Sequence, residues 1–144
     1  MRAHWLEYDT DFAVSPQRAF DYLSEHENLG AVFGARITRL SDGEDGHRNG
    51  VGSRRELRVG PGAPPFEETV TQFVPYELIE YKITKGGPMK DHVGIQRFTP
   101  NPGGGTHLNY RIRLSSRIPG VALLVKHSLL RNMSKGLKAV DANA

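Results

Sequence analysis

The sequence predicts an α+β fold: a seven-stranded antiparallel sheet wrapped around a long C-terminal helix, with two short helices after the first strand. Three observations carry this. Two-residue alternation recurs in seven stretches, whereas a helical period dominates only the last two dozen residues. The strands are parted by short separators rich in Gly and Pro, so consecutive strands are most simply antiparallel neighbours. The 144 residues, 38% hydrophobic, supply one domain with one core.

The elements follow in order. Residues 4–14, HWLEYDTDFAV, read as a strand, with Leu6, Tyr8, Phe12 and Val14 in one phase. Ser15 and Pro16 then start a short helix, as N-cap and first helical residue, and Ala19, Phe20 and Leu23 form its apolar face. NLGAVFG, residues 28–34, reads as a second short helix or turn closed by Gly34. Strands follow at 35–42, 51–59, 66–74, 77–84, 92–99 and 106–116. Their separators are GEDGHRNG, GPGAPP, the Pro75-Tyr76 corner, KGGPMKD and PNPGGG. After Pro119-Gly120 the period changes. Val121, Leu124, Val125, Ser128, Leu129, Met133, Leu137 and Val140 share a broad stripe of a helix about five or six turns long.

Composition excludes several classes. No apolar run approaches the roughly 18 residues of a membrane span. The start MRAHWLEYDT lacks the pattern of a signal peptide. Cys is absent, which excludes disulfides, thiol catalysis and cysteinyl zinc. A cytoplasmic location is therefore expected. The net charge of +3 is spread over strand and helix faces rather than gathered in a stripe with aromatics, so no nucleic-acid partner is expected.

The order of elements also predicts a hollow. One sheet face must be buried, and only one long apolar helix is available to cover it. A strongly twisted sheet of seven strands is not filled by a single helix unless the side chains are very large. Only 8% of residues are aromatic. A pocket should therefore remain between sheet and helix.

Several stretches, in this order and spacing, resemble the polyketide cyclase/dehydrase and lipid-transport family of the START/Bet v 1-like (SRPBCC) superfamily. They are SPQRAFDYL after the opening strand, NLGAVFG, GVGSRRELRVG, EETVTQFVPYELIEYKI, Gly104-Gly105-Thr106 before a long strand, and the closing Pro-Gly helix. The resemblance covers about Tyr8 to Val140. It implies a helix-grip fold, one ligand-binding domain over residues 1–144, and a cavity for apolar ligands. It also implies that an inward Arg with tyrosines holds carbonyl oxygens in aromatase/cyclase members, and Arg55 stands in a similar stretch. Chemistry is not implied by fold, since the family includes binders, carriers and cyclases.

Alternation assigns the inward residues. Leu108, Tyr110, Ile112 and Leu114 form one set, Ile79, Tyr81 and Ile83 another, and Leu57 and Val59 carry Arg55 with them. Phe66, Val70 and Val74 carry Glu68 and Gln72. Val93 and Ile95 carry Arg97, which leaves His92 on the outer face beside His107. Hairpin registers place Arg55 near Glu68 or Val70, and Arg97 near Tyr110. An unpaired buried guanidinium costs several kcal/mol, so Arg55 should meet either Glu68, as a two-pronged pair, or a ligand oxygen. Both readings stand at this point: a polar anchor for a ligand head, or a structural ion pair and solvent-reaching strand ends.

The expected function is binding or transport of a small hydrophobic molecule (a lipid, polyketide or aromatic metabolite). Contacts would come from Ile79, Tyr81, Ile83, Val93, Ile95, Leu108, Tyr110, Ile112, Leu124 and Leu129, with Arg55, Glu68 and Arg97 setting orientation. The alternative is a polyketide cyclase/dehydrase, with Tyr81, Tyr110, Glu68 and Arg55 able to handle protons. A third reading is an interaction module working with a membrane or a respiratory complex; VALLVKHSLL would then touch a membrane surface, though it reads more simply as the helix's core face. No catalytic residue is assigned. No His pair has metal-ligand spacing and GxSxG is absent, so neither a metal nor a serine nucleophile is expected, and no cofactor is implied. The chain is compatible with a monomer or a homodimer.

Overall fold

The computed structural model describes residues 2–144. Seven strands form one antiparallel sheet: β1 (His4–Phe12), β2 (Arg36–Ser41), β3 (Arg54–Arg58), β4 (Phe66–Val74), β5 (Leu78–Gly86), β6 (Met89–Pro100) and β7 (Thr106–Ser116). Their order across the sheet is β1-β7-β6-β5-β4-β3-β2. All sequential hairpins therefore pair with their neighbours, and β1 closes beside β7 in the register Tyr8 opposite Tyr110. Helix α1 (Pro16–Ser24) begins as expected: Ser15 Oγ accepts from the Arg18 N–H at 3.3 Å and Pro16 takes the first turn. A 3-10 turn at His26–Asn28 leads into α2 (Gly30–Phe33), which ends in the left-handed residue Gly34.

The C-terminal helix α3 (Val121–Gly136) lies across the concave face against α2, β7 and β1. It stops short of the expected length. After Leu137 a separate turn of helix, α4 (Lys138–Asn143), continues, and Asp141 Oδ1 accepts from the Ala13 N–H at 2.9 Å. That contact fixes the tail to the end of β1.

Core residues sit where a period of two places them on β1, β5 and β7: Leu6, Ile79, Tyr81, Leu108, Tyr110, Ile112 and Leu114 are all buried. Two strands depart from the expected phase. On β6 the inward residues are His92, Gly94, Gln96 and Phe98; Val93, Ile95 and Arg97 point to the outer face. The register is Gln96 opposite Tyr110 and Arg97 opposite Asn109, one residue from the expectation, which reverses every side chain on the strand. On β4 a bulge between Val70 and Gln72 re-aims the second half, so Phe73 turns in while Gln72 and Val74 turn out. Gln72 Nε2 then donates to Glu80 Oε2 at 2.7 Å on the outer side.

The aromatic side chains are unevenly placed. Phe20 of α1 meets Phe73, Phe98 and Tyr76 edge-on, with centroids 5.1, 5.3 and 5.7 Å away. These rings plug one end of the space between sheet and helices. The other end, under α3, lies beyond this cluster and is lined by Phe33, Phe66 and Tyr81 without being filled.

Candidate functional site: the hollow under helix α3

A cavity of about 340 Å³ occupies that other end. Its sheet wall comes from β3 to β7, and its cover from Phe33, Gly34 and the face of α3 that carries Val125, Ser128, Leu129 and Asn132. Val59, Ala63, Pro64, Gly87 and Pro88 bring the β3–β4 and β5–β6 connections to its rim. The volume lies within the range of small-molecule sites, and the lining is mostly apolar with a few convergent polar groups.

Those polar groups come from adjacent inward positions on β3 to β7. Arg55 and Glu68 are directly opposed in the β3–β4 register. Both are almost fully buried, at 3% and 4% exposure, and Arg55 Nε–H donates to Glu68 Oε1 at 2.8 Å. The bond is single-pronged rather than a fork. The Arg55 guanidinium also lies over the Tyr81 ring, 4.8 Å from its centroid. Arg55 stands behind the cavity wall, whereas Glu68 reaches the wall itself.

The Tyr81 and Tyr110 hydroxyls are hydrogen-bonded to each other across the buried floor. Burial raises both phenols above their ordinary range, and for Tyr81 the neighbouring Tyr110 adds to the effect. Both remain neutral phenols at physiological pH. Only Tyr81 lines the cavity.

His92 belongs to the site although the sequence pattern put it outside. Its Nδ1 accepts from the Ile83 N–H at 3.1 Å, and its Nε2 stands 4.0 Å from Glu68 Oε2. Burial lowers its pKa, and the Arg55 charge lowers it further while Glu68 opposes. The ring is neutral, and with Nδ1 accepting, its proton resides on Nε2.

The expected ligand-contact residues therefore divide. Glu68, Tyr81, Ile83, Ile112 and Leu129 line the cavity. Arg55, Ile79, Leu108 and Tyr110 are buried in the core around it without lining it. Val93, Ile95 and Arg97 lie on the opposite face of the sheet. Leu124 is 71% exposed on the outer side of α3. The helix passes close to α2, where a Cβ added to Gly136 would sit 2.7 Å from Val32 Cα. Val125, Leu129 and Asn132 face the hollow, and Leu124, one residue before Val125, lies about 100° around the helix from it. The lining residues that alternation missed include His92, Met89, Phe33, Asn132 and the rim prolines. Phe98, apolar and in phase with His92, was the signal that could have set β6 correctly.

The fold and its hollow define a helix-grip protein of the START/Bet v 1-like class. Over residues 4–144 the sequence matches the family described as polyketide cyclase / dehydrase and lipid transport, and the chain belongs to that family. Similar solved structures include the Zhui aromatase/cyclase from Streptomyces sp. R1128, at 16% identity and TM-score 0.74, covering 98% of this chain and 93% of that one. A START superfamily protein from Mycobacterium smegmatis matches at 16% and 0.75, covering 94% and 95%. Truncated norcoclaurine synthase from Thalictrum flavum matches at 12% and 0.74, covering 99% and 96%. At these identities the likeness concerns the fold alone. No curated protein matches the chain. Among the described residues, no helix is long and apolar enough to cross a membrane.

Proposed function

We propose that the chain binds a small hydrophobic molecule in the cavity under α3, apolar body against Leu57, Phe66, Ile112 and Leu129, polar group toward Glu68 and His92. The observation that carries this is the pairing of a 340 Å³ hollow with a mainly apolar wall and a small polar cluster at its floor. Membership of a family that includes lipid-transport proteins supports the same reading. Apolar contact would supply most of the affinity, at about 25 cal/mol per Å² of apolar surface removed from water.

Native mass spectrometry of the purified protein, followed by extraction, tests this directly. A bound molecule of mass compatible with the hollow is expected. The neutral dye Nile red should also bind, and Leu129→Trp, which fills the space, should abolish its binding while the protein stays folded. Unchanged dye binding in that variant would place the dye elsewhere and defeat the reading.

A second reading, cyclisation or dehydration of a polyketide-like substrate, draws on one feature. Glu68, neutral His92 and Tyr81 all reach the same hollow, so a proton acceptor and donors converge there. It predicts turnover of a poly-β-ketone analogue that His92→Phe removes while binding persists. Binding without turnover leaves the first reading standing alone.

A further inference from the structure

Glu68 is the sole formally charged residue lining the cavity among the described residues. Arg55 does not line the cavity; its Nε–H bonds Glu68 Oε1 from behind the wall. A bound carboxylate or phosphate would therefore meet a carboxylate at the floor and no cation in the lining. A lipid held by an acidic head is disfavoured there on charge alone.

The two open valences at the floor are complementary. Glu68 Oε2 is an acceptor and His92 Nε2–H is a donor, and their 4.0 Å separation is too long for a direct hydrogen bond. An oxygen placed about 2.8 Å from each would subtend an angle of about 90° across that gap, within reach of the bonding geometry of a hydroxyl. Such an oxygen must both donate and accept. Alcohols, phenols and enols do. A ketone or ether oxygen satisfies His92 but leaves Glu68 Oε2 facing a lone pair or a methyl group.

We propose, resting on the binding reading above, that Glu68 and His92 form a hydroxyl-reading pair, so that the cavity selects neutral ligands carrying an alcohol or phenol. Arg55 acts as a positioning residue, aiming Glu68 Oε2 by holding Oε1. The Ile83 N–H does the same for His92, fixing which ring nitrogen carries the proton. A site built to bond a hydroxyl rejects analogues that lack it, because its own buried polar groups are then left unpaired.

The test is displacement of Nile red at neutral pH by four compounds of one shape: 2-naphthol, 2-methoxynaphthalene, naphthalene and 2-naphthoate. The inference expects 2-naphthol to bind roughly tenfold or more tighter than the other neutral two, and 2-naphthoate to bind weakest. His92→Phe should bring 2-naphthol down toward naphthalene while leaving naphthalene unchanged. The double variant Arg55→Met/Glu68→Leu, which strands no charge, should do likewise and relieve the exclusion of 2-naphthoate. Equal binding of the three neutral compounds overturns this inference, a trapped water then satisfying the pair, and leaves the binding reading intact. Tightest binding by 2-naphthoate overturns the inference as well. Failure of Nile red and of all four compounds to bind overturns both.

Discussion

Gly94 on β6 lies directly opposite Tyr81 on β5, and the tyrosine ring rests where a Gly94 side chain would be. A Cβ built there would sit 2.6 Å from Tyr81 Cε1 and closer still to Cζ. The ring is fully buried, with Arg55 over it and Tyr110 bonded to its hydroxyl, so it has little room to yield. Gly94→Ala is therefore expected to destabilise the fold by about 1–3 kcal/mol through overpacking. It should also weaken Nile red binding, because the displaced ring enters the hollow. Urea unfolding and dye titration measure the two effects. A fully stable Gly94→Ala variant with parental dye affinity would show that Tyr81 is not held as described.

The Arg55–Glu68 pair makes the wall rigid only while both members are present. Arg55→Met leaves a buried carboxylate and Glu68→Leu a buried guanidinium, each costing about 3–5 kcal/mol. The double variant should recover most of that loss, since an apolar pair of similar volume carries no desolvation penalty. Chemical denaturation of all four proteins gives the coupling directly. Additive losses would mean the two side chains act independently.

The phenols of Tyr81 and Tyr110 give an optical check on the same floor. Burial holds both pKa values above the normal tyrosine range. In a spectrophotometric titration stopped below the onset of alkaline unfolding, Tyr81→Phe and Tyr110→Phe should therefore reach the parental phenolate amplitude. Each should cost about 1–2 kcal/mol of stability, the expense of leaving its partner's hydroxyl unpaired. A lowered amplitude in either variant would show that the missing phenol ionises freely and is reached by solvent.

How far the architecture was legible depended on how apolar each inner face is. β7 alternates Leu108, Tyr110, Ile112 and Leu114 inward without interruption, and of the two partners the hairpin register offered Arg55, Glu68 and Val70, it is Glu68 that stands opposite. On β6 the inner face carries a cavity histidine, a glycine yielding to Tyr81, and Gln96, while the outer face carries Val93 and Ile95. Hydrophobicity then points the wrong way, and it does so at the functional site because a polar site replaces apolar core there. Leu124 misled for another reason. A helix stripe read from one sequence is broad, and Leu124 falls at its edge, about 100° from Val125. The β4 bulge left no turn residue to announce it.

His26 supplies the pH dependence. It is fully buried in the 3-10 turn, Nε2 lies 3.1 Å from Ser53 Oγ, and Nδ1 has no hydrogen-bond partner among the described residues. Burial first, then the charges of Arg55 and Arg39, push its pKa from 6.5 down to about 3. In the unfolded chain His26 binds a proton below pH 6.5, while in the folded chain it stays neutral to about pH 3. Its contribution is thus fully present above pH 6.5 and is lost as the pH falls from there toward 3. Glu27, bonded by Arg39 and lowered from 4.5 to about 2, acts in the same sense but only below pH 4.5. His107 on the outer face acts in the opposite sense: hydrogen bonds to Asp11 and Asp9 raise its pKa, so its stabilisation is lost as the pH rises. Comparing parent and His26→Gln cancels the contributions common to both. Between pH 7 and pH 5 the parent's urea midpoint should fall more steeply than that of His26→Gln. With one unit of pKa difference worth about 1.4 kcal/mol, the difference across that interval should approach 2 kcal/mol. Parallel midpoints for the two proteins would mean that His26 is protonated in the folded state at pH 5 and would overturn this account of its burial.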